Sequence, residues 1–188
     1  TTDGREKMGY LEQSVEIYER LRRKTFQITI ENEMVFLLRF LPEYYHHLAG
    51  FQHLRDFSDL AQPGNGARGV YRNVKKGRIS EEKLHQSVHF HEMEARLQYF
   101  AKIEEILCSG QTKIIVSYDP NKAFSKIDAD FLLYQREGYF ATATYYGLFL
   151  RSKGETLLPI TYVVEHSQRY VANQQILDCE IEILNRTS

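Results

Sequence analysis

From Thr112 onward the chain reads as strand after strand, with no room for helices between them. The strand-like runs are Thr112 to Tyr118, Ala129 to Gln135, Tyr139 to Leu150 and Leu157 to Val164. Breakers at Asp119-Pro120, Glu137-Gly138 and Lys153-Gly154 separate them. Parallel neighbours need a crossover of a dozen or more residues, usually a helix, and these gaps are too short. A doubly wound parallel fold is therefore excluded, and an antiparallel sheet is expected. The tail from Ser167 to Leu184 carries Ile176, Cys179, Ile181 and Ile183, which allow a last strand or a short helix.

The first part of the chain has a different period. From Glu6 to Arg23, Met8, Leu11, Val15, Tyr18 and Leu21 recur at steps of three and four, which predicts an amphipathic helix. Asp3, three residues before Glu6, is placed to cap it. Thr25 to Ile30 then alternates by two, Glu31-Asn32-Glu33 turns, and Met34 to Phe40 continues as an apolar run, a β-hairpin pattern. Pro42 opens a helical segment from Glu43 to Leu60 with Tyr44, His47, Leu48, Phe51 and Leu54 on one face. Gln62 to Gly69 is the strongest breaker, and 61–69 reads as a flexible surface loop. Val70 to Lys76 is a short helix or turn ended by Gly77. Ser80 caps a helix beginning Glu81-Glu82-Lys83. A longer helix runs from about His89 to Cys108 with Phe90, Met93, Leu97, Phe100, Ile103 or Glu104, and Leu107 as its stripe, stopped by Gly110. The expectation is an α+β fold, with N-terminal helices and the hairpin packed on a C-terminal antiparallel sheet. Residues 1–188 form a single domain, with 1–24 as an N-terminal helix.

Length and composition limit the function classes. A chain of 188 residues hides roughly 70% of its unfolded surface and needs no disulfide or metal to hold a core. Twenty-four Lys and Arg face twenty-five Asp and Glu, a formal charge of −1, which argues against coating nucleic acid by bulk charge. Cys108 and Cys179 lie far apart, read as two reduced thiols with a disulfide as the alternative, and no C-x-x-C pair suggests a zinc ribbon. No apolar run approaches a membrane span and no signal-peptide core opens the chain. It begins Thr-Thr-Asp-Gly without Met, as a domain excised from a longer polypeptide would.

Phosphate-cradling glycine loops, His-Glu-x-x-His and nucleophile elbows are absent, so chemistry must come from clusters. His46-His47-Leu48-Ala49-Gly50-Phe51-Gln52-His53 holds three imidazoles. It reads either as a tightly packed helix with one buried, hydrogen-bonded His, or as a source of an acid or base working near neutral pH. Gly50 inside a helix implies close packing or backbone approach. His85, His89, Glu92 and Arg96 share a stripe with a metal-like His spacing but no third clear ligand, so a solvated polar face is the expectation, with Arg96 kept as an anion contact. Asn121 to Asp130 presents Ser125 and Lys126 at a strand edge, where a turn could offer hydroxyl and ammonium to a phosphate. Asp130 could hold the Lys or face water. In Pro159-Ile160-Thr161-Tyr162, Thr161 and Tyr162 point to opposite faces, so only one can line a shared site.

The order His47-Leu48-x-Gly50, Arg96-Leu97-x-Tyr99-Phe100, Ser125-Lys126-Ile127-x-Ala129-Asp130 and a downstream strand pair resembles the fourth family of phage-borne nucleases in the barnase–EndoU–colicin–RelE group. The resemblance spans about 150 residues, from the first hairpin to Val164. It implies a barnase–EndoU–colicin–RelE-like α+β fold and a metal-independent ribonuclease without cofactor, of phage, mobile-element or toxin type. It implies RNA as substrate, a cognate inhibitor or antitoxin as a further partner, no membrane, and action in the cytoplasm. In such enzymes the RNA 2′-hydroxyl attacks its own phosphate, which requires a base, an acid and a cation. His47 would then be the acid or base, Lys126 and Arg96 would stabilise the phosphoryl group, Ser125 would position it, and Thr161 or Tyr162 would donate a further hydrogen bond. Tyr162, Asp130 and Tyr118 are the expected substrate contacts around them. The thirteen Tyr and eleven Phe, with no Trp, include Tyr118, Tyr134, Tyr145, Tyr146 and Tyr162 on or beside the late strands, where one face could stack unpaired bases. The rival class is a non-catalytic RNA- or protein-binding module with a degenerate nuclease fold, and the discriminating observation is whether the four passages share a cleft.

Overall fold

A computed structural model describes residues 8–109 and 113–185. Seven helices, α1 (Tyr10–Arg22), α2 (Tyr45–Ala49), α3 (Ser58–Ala61), α4 (Ala67–Lys75), α5 (Glu81–His85), α6 (His91–Gln98) and α7 (Ala101–Cys108), lie almost wholly ahead of the late strands. The strands are β1 (Lys24–Ile30), β2 (Met34–Arg39), β3 (Lys113–Ser117), β4 (Phe131–Glu137), β5 (Thr144–Lys153), β6 (Thr156–Glu165) and β7 (Gln175–Asn185). The ambiguous tail is thus a strand.

The sheet is where the structure corrects the expected arrangement. It is a closed, mixed seven-stranded barrel in the order β1-β2-β6-β5-β4-β3-β7. The N-terminal hairpin does not pack on a separate antiparallel sheet; its strands are part of the mixed barrel and close it. β1 runs antiparallel to β7 through seven residue pairs from Lys24↔Asn185 to Ile30↔Cys179. β2 meets β6 in parallel, through Leu37↔Thr156 and Leu38↔Leu157 only. Closure gives every strand a neighbour on each side over at least part of its length, which shortens the unpaired edges that an open sheet must protect.

Strand alternation divides the apolar side chains between two cores. Ile115, Leu133, Leu148 and Tyr162 join the helices in the larger one. Val116, Leu132, Phe149 and Val163 form the smaller one with Tyr118, Ala123 and Ala129. The tyrosine content is mostly structural. Tyr18 stands edge-on to Phe40, Tyr45 and Tyr71, with ring centroids 5.9, 5.3 and 5.2 Å away. Its hydroxyl donates to the Leu41 carbonyl, and the Tyr45 hydroxyl lies 2.7 Å from Ser14 Oγ. Each ring fills volume while its hydroxyl finds a partner, as buried tyrosines require.

Helix boundaries differ from their expected ranges at identifiable places. The segment from Glu43 to Leu60 breaks into α2, two 3-10 turns and α3, because Gly50 adopts φ 92°, ψ 17° and ends α2. The run from His89 to Cys108 divides at Tyr99, whose carbonyl accepts the Tyr162 hydroxyl at 2.7 Å. Ser80 caps α5 as expected, its Oγ accepting from the Lys83 N–H. The proposed Asp3 cap and the Gly110 stop lie outside the described residues. Among the described residues no helix is long and apolar enough to cross a membrane.

Candidate active site

β2 pairs with β6 only at its beginning, so beyond Leu157 the β2-facing side of β6 has no strand partner. α2 and α6 occupy that side. Arg96 on α6 donates from Nε to the Tyr162 carbonyl at 2.7 Å and from Nη1 to the Glu92 carbonyl of its own helix. A guanidinium therefore supplies to the edge of β6 a hydrogen bond that the barrel does not. Further along, Phe149 pairs with Thr161 and Leu150 with Pro159, leaving Ile160 as an extra residue. Pro159 has no N–H to continue the ladder, and a bulge at this point re-aims the following side chains. Ile160 and Thr161 consequently line one cleft, which regular alternation would not permit.

The opposite wall is the loop between β3 and β4, whose shape is fixed from within. Gln174 pairs reciprocally with Asp119, accepting from its N–H at 2.9 Å and donating to its carbonyl at 3.0 Å. The Ser125 N–H donates to the Pro120 carbonyl, and Ser125 Oγ accepts from the Ile127 N–H, both at 3.0 Å. Arg169 donates to the carbonyls of Ala123 (3.2 Å) and Phe124 (3.0 Å).

Between these walls lies an open cleft of about 580 Å³. His47, Gln52, His53 and Arg96 line the helical side, Ile160, Thr161 and Val163 the floor, and Ser125, Lys126, Asp128, Arg169 and Tyr170 the far side. His47, Arg96, Ser125, Lys126 and Thr161, drawn from four separate passages of sequence, thus border one space. The other three expected contacts do not. Tyr162 is fully buried in the larger core with its hydroxyl on Tyr99, so of the Thr161–Tyr162 pair it is Thr161 that faces the cleft. Asp130 turns to β5, where its Oδ2 accepts from the N–H (2.8 Å) and Oγ (2.9 Å) of Ser152, and it does not hold Lys126. Tyr118 is 5% exposed and packs edge-on against Phe149 at 4.9 Å, which leaves no ring face for a base. Tyr145 and Tyr146 are likewise buried.

The three imidazoles have separate fates. His46 is the packed one, its Nε2–H donating to the Leu60 carbonyl at 2.6 Å and its ring stacked on Phe51. His47 stands at the exposed rim, and desolvation by the surrounding walls holds its pKa below the usual 6.5. His53 was not singled out from the sequence, because a continuous helix carries it to another face than His47. The break at Gly50 turns it into the same cleft. Its Nε2 is buried with no hydrogen-bond partner, and desolvation, reinforced by the Arg96 charge, lowers its pKa to about 4. Arg169 and Tyr170 were missed because they lie in the ambiguous tail. Their only signal was a cation next to an aromatic.

Three cations, Arg96, Lys126 and Arg169, line the cleft against one carboxylate, Asp128, and Asp128 lies 3.5 Å from Arg151. A locally basic cleft therefore exists within a chain of net charge −1. The His85–His89–Glu92 stripe faces outward, with His89 and Arg55 both on the Glu92 carboxylate and His85 against Phe90. Among the described residues no three His, Cys, Asp or Glu side chains converge as metal ligands.

Imidazoles, hydroxyls and clustered cations thus share one cleft beneath a helical layer on a curved sheet. A family model described as phage-Barnase-EndoU-ColicinE5/D-RelE like nuclease 4 matches residues 11–187, and the chain belongs to that family. No curated protein and no solved structure matches it.

Proposed function

We propose that this chain is a metal-independent ribonuclease of phage or toxin type that cleaves RNA through a 2′,3′-cyclic phosphate. The supporting observation is the single cleft in which a nuclease-family chain gathers two imidazoles, two hydroxyls and three cations. The cyclising step needs a base at the 2′-hydroxyl, an acid at the leaving 5′-oxygen and positive charge at the phosphoryl oxygens. His53, whose ring borders the cleft, takes the 2′-hydroxyl proton as the 2′-oxygen bonds to phosphorus. The bond to the 5′-oxygen breaks, and protonated His47 at the rim returns a proton to that oxygen. Arg96 and Lys126 neutralise the non-bridging oxygens, and Ser125 and Thr161 orient the phosphate. A cleft with three cations and one carboxylate would also accept an acidic inhibitor.

Incubation of the pure protein with RNA in EDTA should yield fragments with cyclic-phosphate ends. Lys126→Ala should lower that activity by about 10²-fold, the scale of one transition-state cation or donor. Its unfolding free energy should stay within about 0.5 kcal/mol of the parent's, because Lys126 is exposed. No cleavage at high protein concentration, or a Lys126→Ala variant equal to the parent, would leave the non-catalytic module as the reading.

The pH profile supplies an independent check. His53 must be neutral to act as base, so kcat/KM should rise as pH increases through about 4. His47 must be protonated to act as acid, so activity should fall as pH rises past its lowered pKa, below 6.5. An optimum between about 4 and 6.5 is expected, and a plateau extending through pH 8 would remove His47 from the acid role. Stability declines together with activity on the acid side. The unfolded chain takes up protons at these histidines at a higher pH than the folded chain does, His53 above all, so folding weakens as pH falls from 6.5 towards about 4.

A further inference from the structure

Phe124 is 91% exposed and borders the cleft, next in the chain to Ser125 and Lys126. It contributes no burial to the fold, yet its position is held. Its φ of 50° lies in the left-handed region that non-glycine residues rarely adopt. Arg169 fixes that conformation by bonding the carbonyls on both sides of the Ala123–Phe124 step. The Arg169 guanidinium lies 5.1 Å from the Tyr170 ring centroid, and Tyr170 packs edge-on against Phe149 of the smaller core. The backbone that carries the exposed ring is thus tied to the smaller core through cation and aromatic.

The occupant is indicated by charge and shape together. A flat apolar face beside a cluster of cations suits a ligand that alternates flat rings with phosphates. We propose that Phe124 is the stacking platform for an unpaired nucleobase adjoining the phosphate held in the cleft, so that the cleft takes single-stranded nucleic acid. This deepens the nuclease reading and rests on it for the phosphate's position. Bases within a duplex have both faces covered by their neighbours, whereas an unpaired base can place one face on an aromatic ring.

The chain contains no Trp, so Phe124→Trp installs a single fluorophore at the platform. The probe is a 2′-O-methyl oligoadenylate, which cannot cyclise, compared with an abasic oligomer of equal length and charge. Quenching by the base-bearing probe but not by the abasic one is expected. Phe124→Ala should weaken binding of the base-bearing probe roughly 5- to 150-fold, the range for loss of one base–aromatic stack, and Phe124→Tyr should restore it. Equal quenching by both probes, or unchanged binding by Phe124→Ala, overturns the platform. Stacking without RNA cleavage would defeat the nuclease reading and leave the platform standing. Cleavage without stacking would defeat the platform alone.

Discussion

Replacing Arg96 with Met is expected to reduce RNA cleavage by about 10²- to 10³-fold, the loss typical of a preorganised transition-state cation. The same change should lower stability by about 1–3 kcal/mol. Arg96 bonds two main-chain carbonyls, and without it the Tyr162 carbonyl on the unpaired side of β6 loses its donor. Relief of the desolvated charge offsets part of that loss, since burial already pulls the Arg96 pKa below its usual value. A third readout separates chemistry from scaffolding. Arg96 is one cause of the low His53 pKa, so its removal should move the acid limb of the kcat/KM profile upward from about 4. Denaturant unfolding and pH–rate profiles on the same variant measure all three. Parental activity in a destabilised Arg96→Met protein would make Arg96 a structural staple only.

How much of this was legible in the sequence depends on the range of the interaction concerned. Local signals held where local physics decides. The strand-like runs between breakers became β3, β4, β5 and β6, Ser80 capped α5, and Thr161 and Tyr162 fell on opposite faces. Barrel closure was not legible, because the pairing of β1 with β7 joins residues about 150 positions apart and no local pattern encodes a partner. Asp130 was misread for the same reason, since its partner Ser152 lies one strand away rather than within its own loop. Periodicity also hid the division of the His89–Cys108 run, where the apolar stripe continues through Phe100 while the Tyr99 carbonyl is diverted to Tyr162. His53 shows how one backbone angle reassigns a side chain. The sequence placed a glycine in the right position, but only its left-handed φ brings His53 beside His47.

Gly50→Ala is the substitution by which that dependence can be measured. Two costs act at this position. A left-handed φ of 92° is one that L-residues avoid, at about 1–2 kcal/mol. A Cβ there would also lie 2.8 Å from Met93 Cβ and 2.9 Å from Arg96 Cδ, so α2 and α6 must separate or the Arg96 side chain must move. Met93 is fully buried and cannot yield cheaply. Together these should destabilise the protein by about 2–4 kcal/mol. Activity of the protein that remains folded should drop about 10-fold or more, because a small displacement of a positioning group near the reacting phosphate is costly. Gly77→Ala is the matched control. Gly77 has φ 74°, but an added Cβ meets nothing within 4 Å, so it carries the conformational cost without the contact. That variant should lose about 1–2 kcal/mol and keep parental cleavage. The difference between the two, read by denaturant unfolding and by kcat/KM under folded conditions, isolates what the close approach of α2 to α6 contributes. Equal destabilisation and equal activity in the two variants would mean that the approach at Gly50 does not set Arg96, and that the cleft's geometry is held by the β6 edge alone.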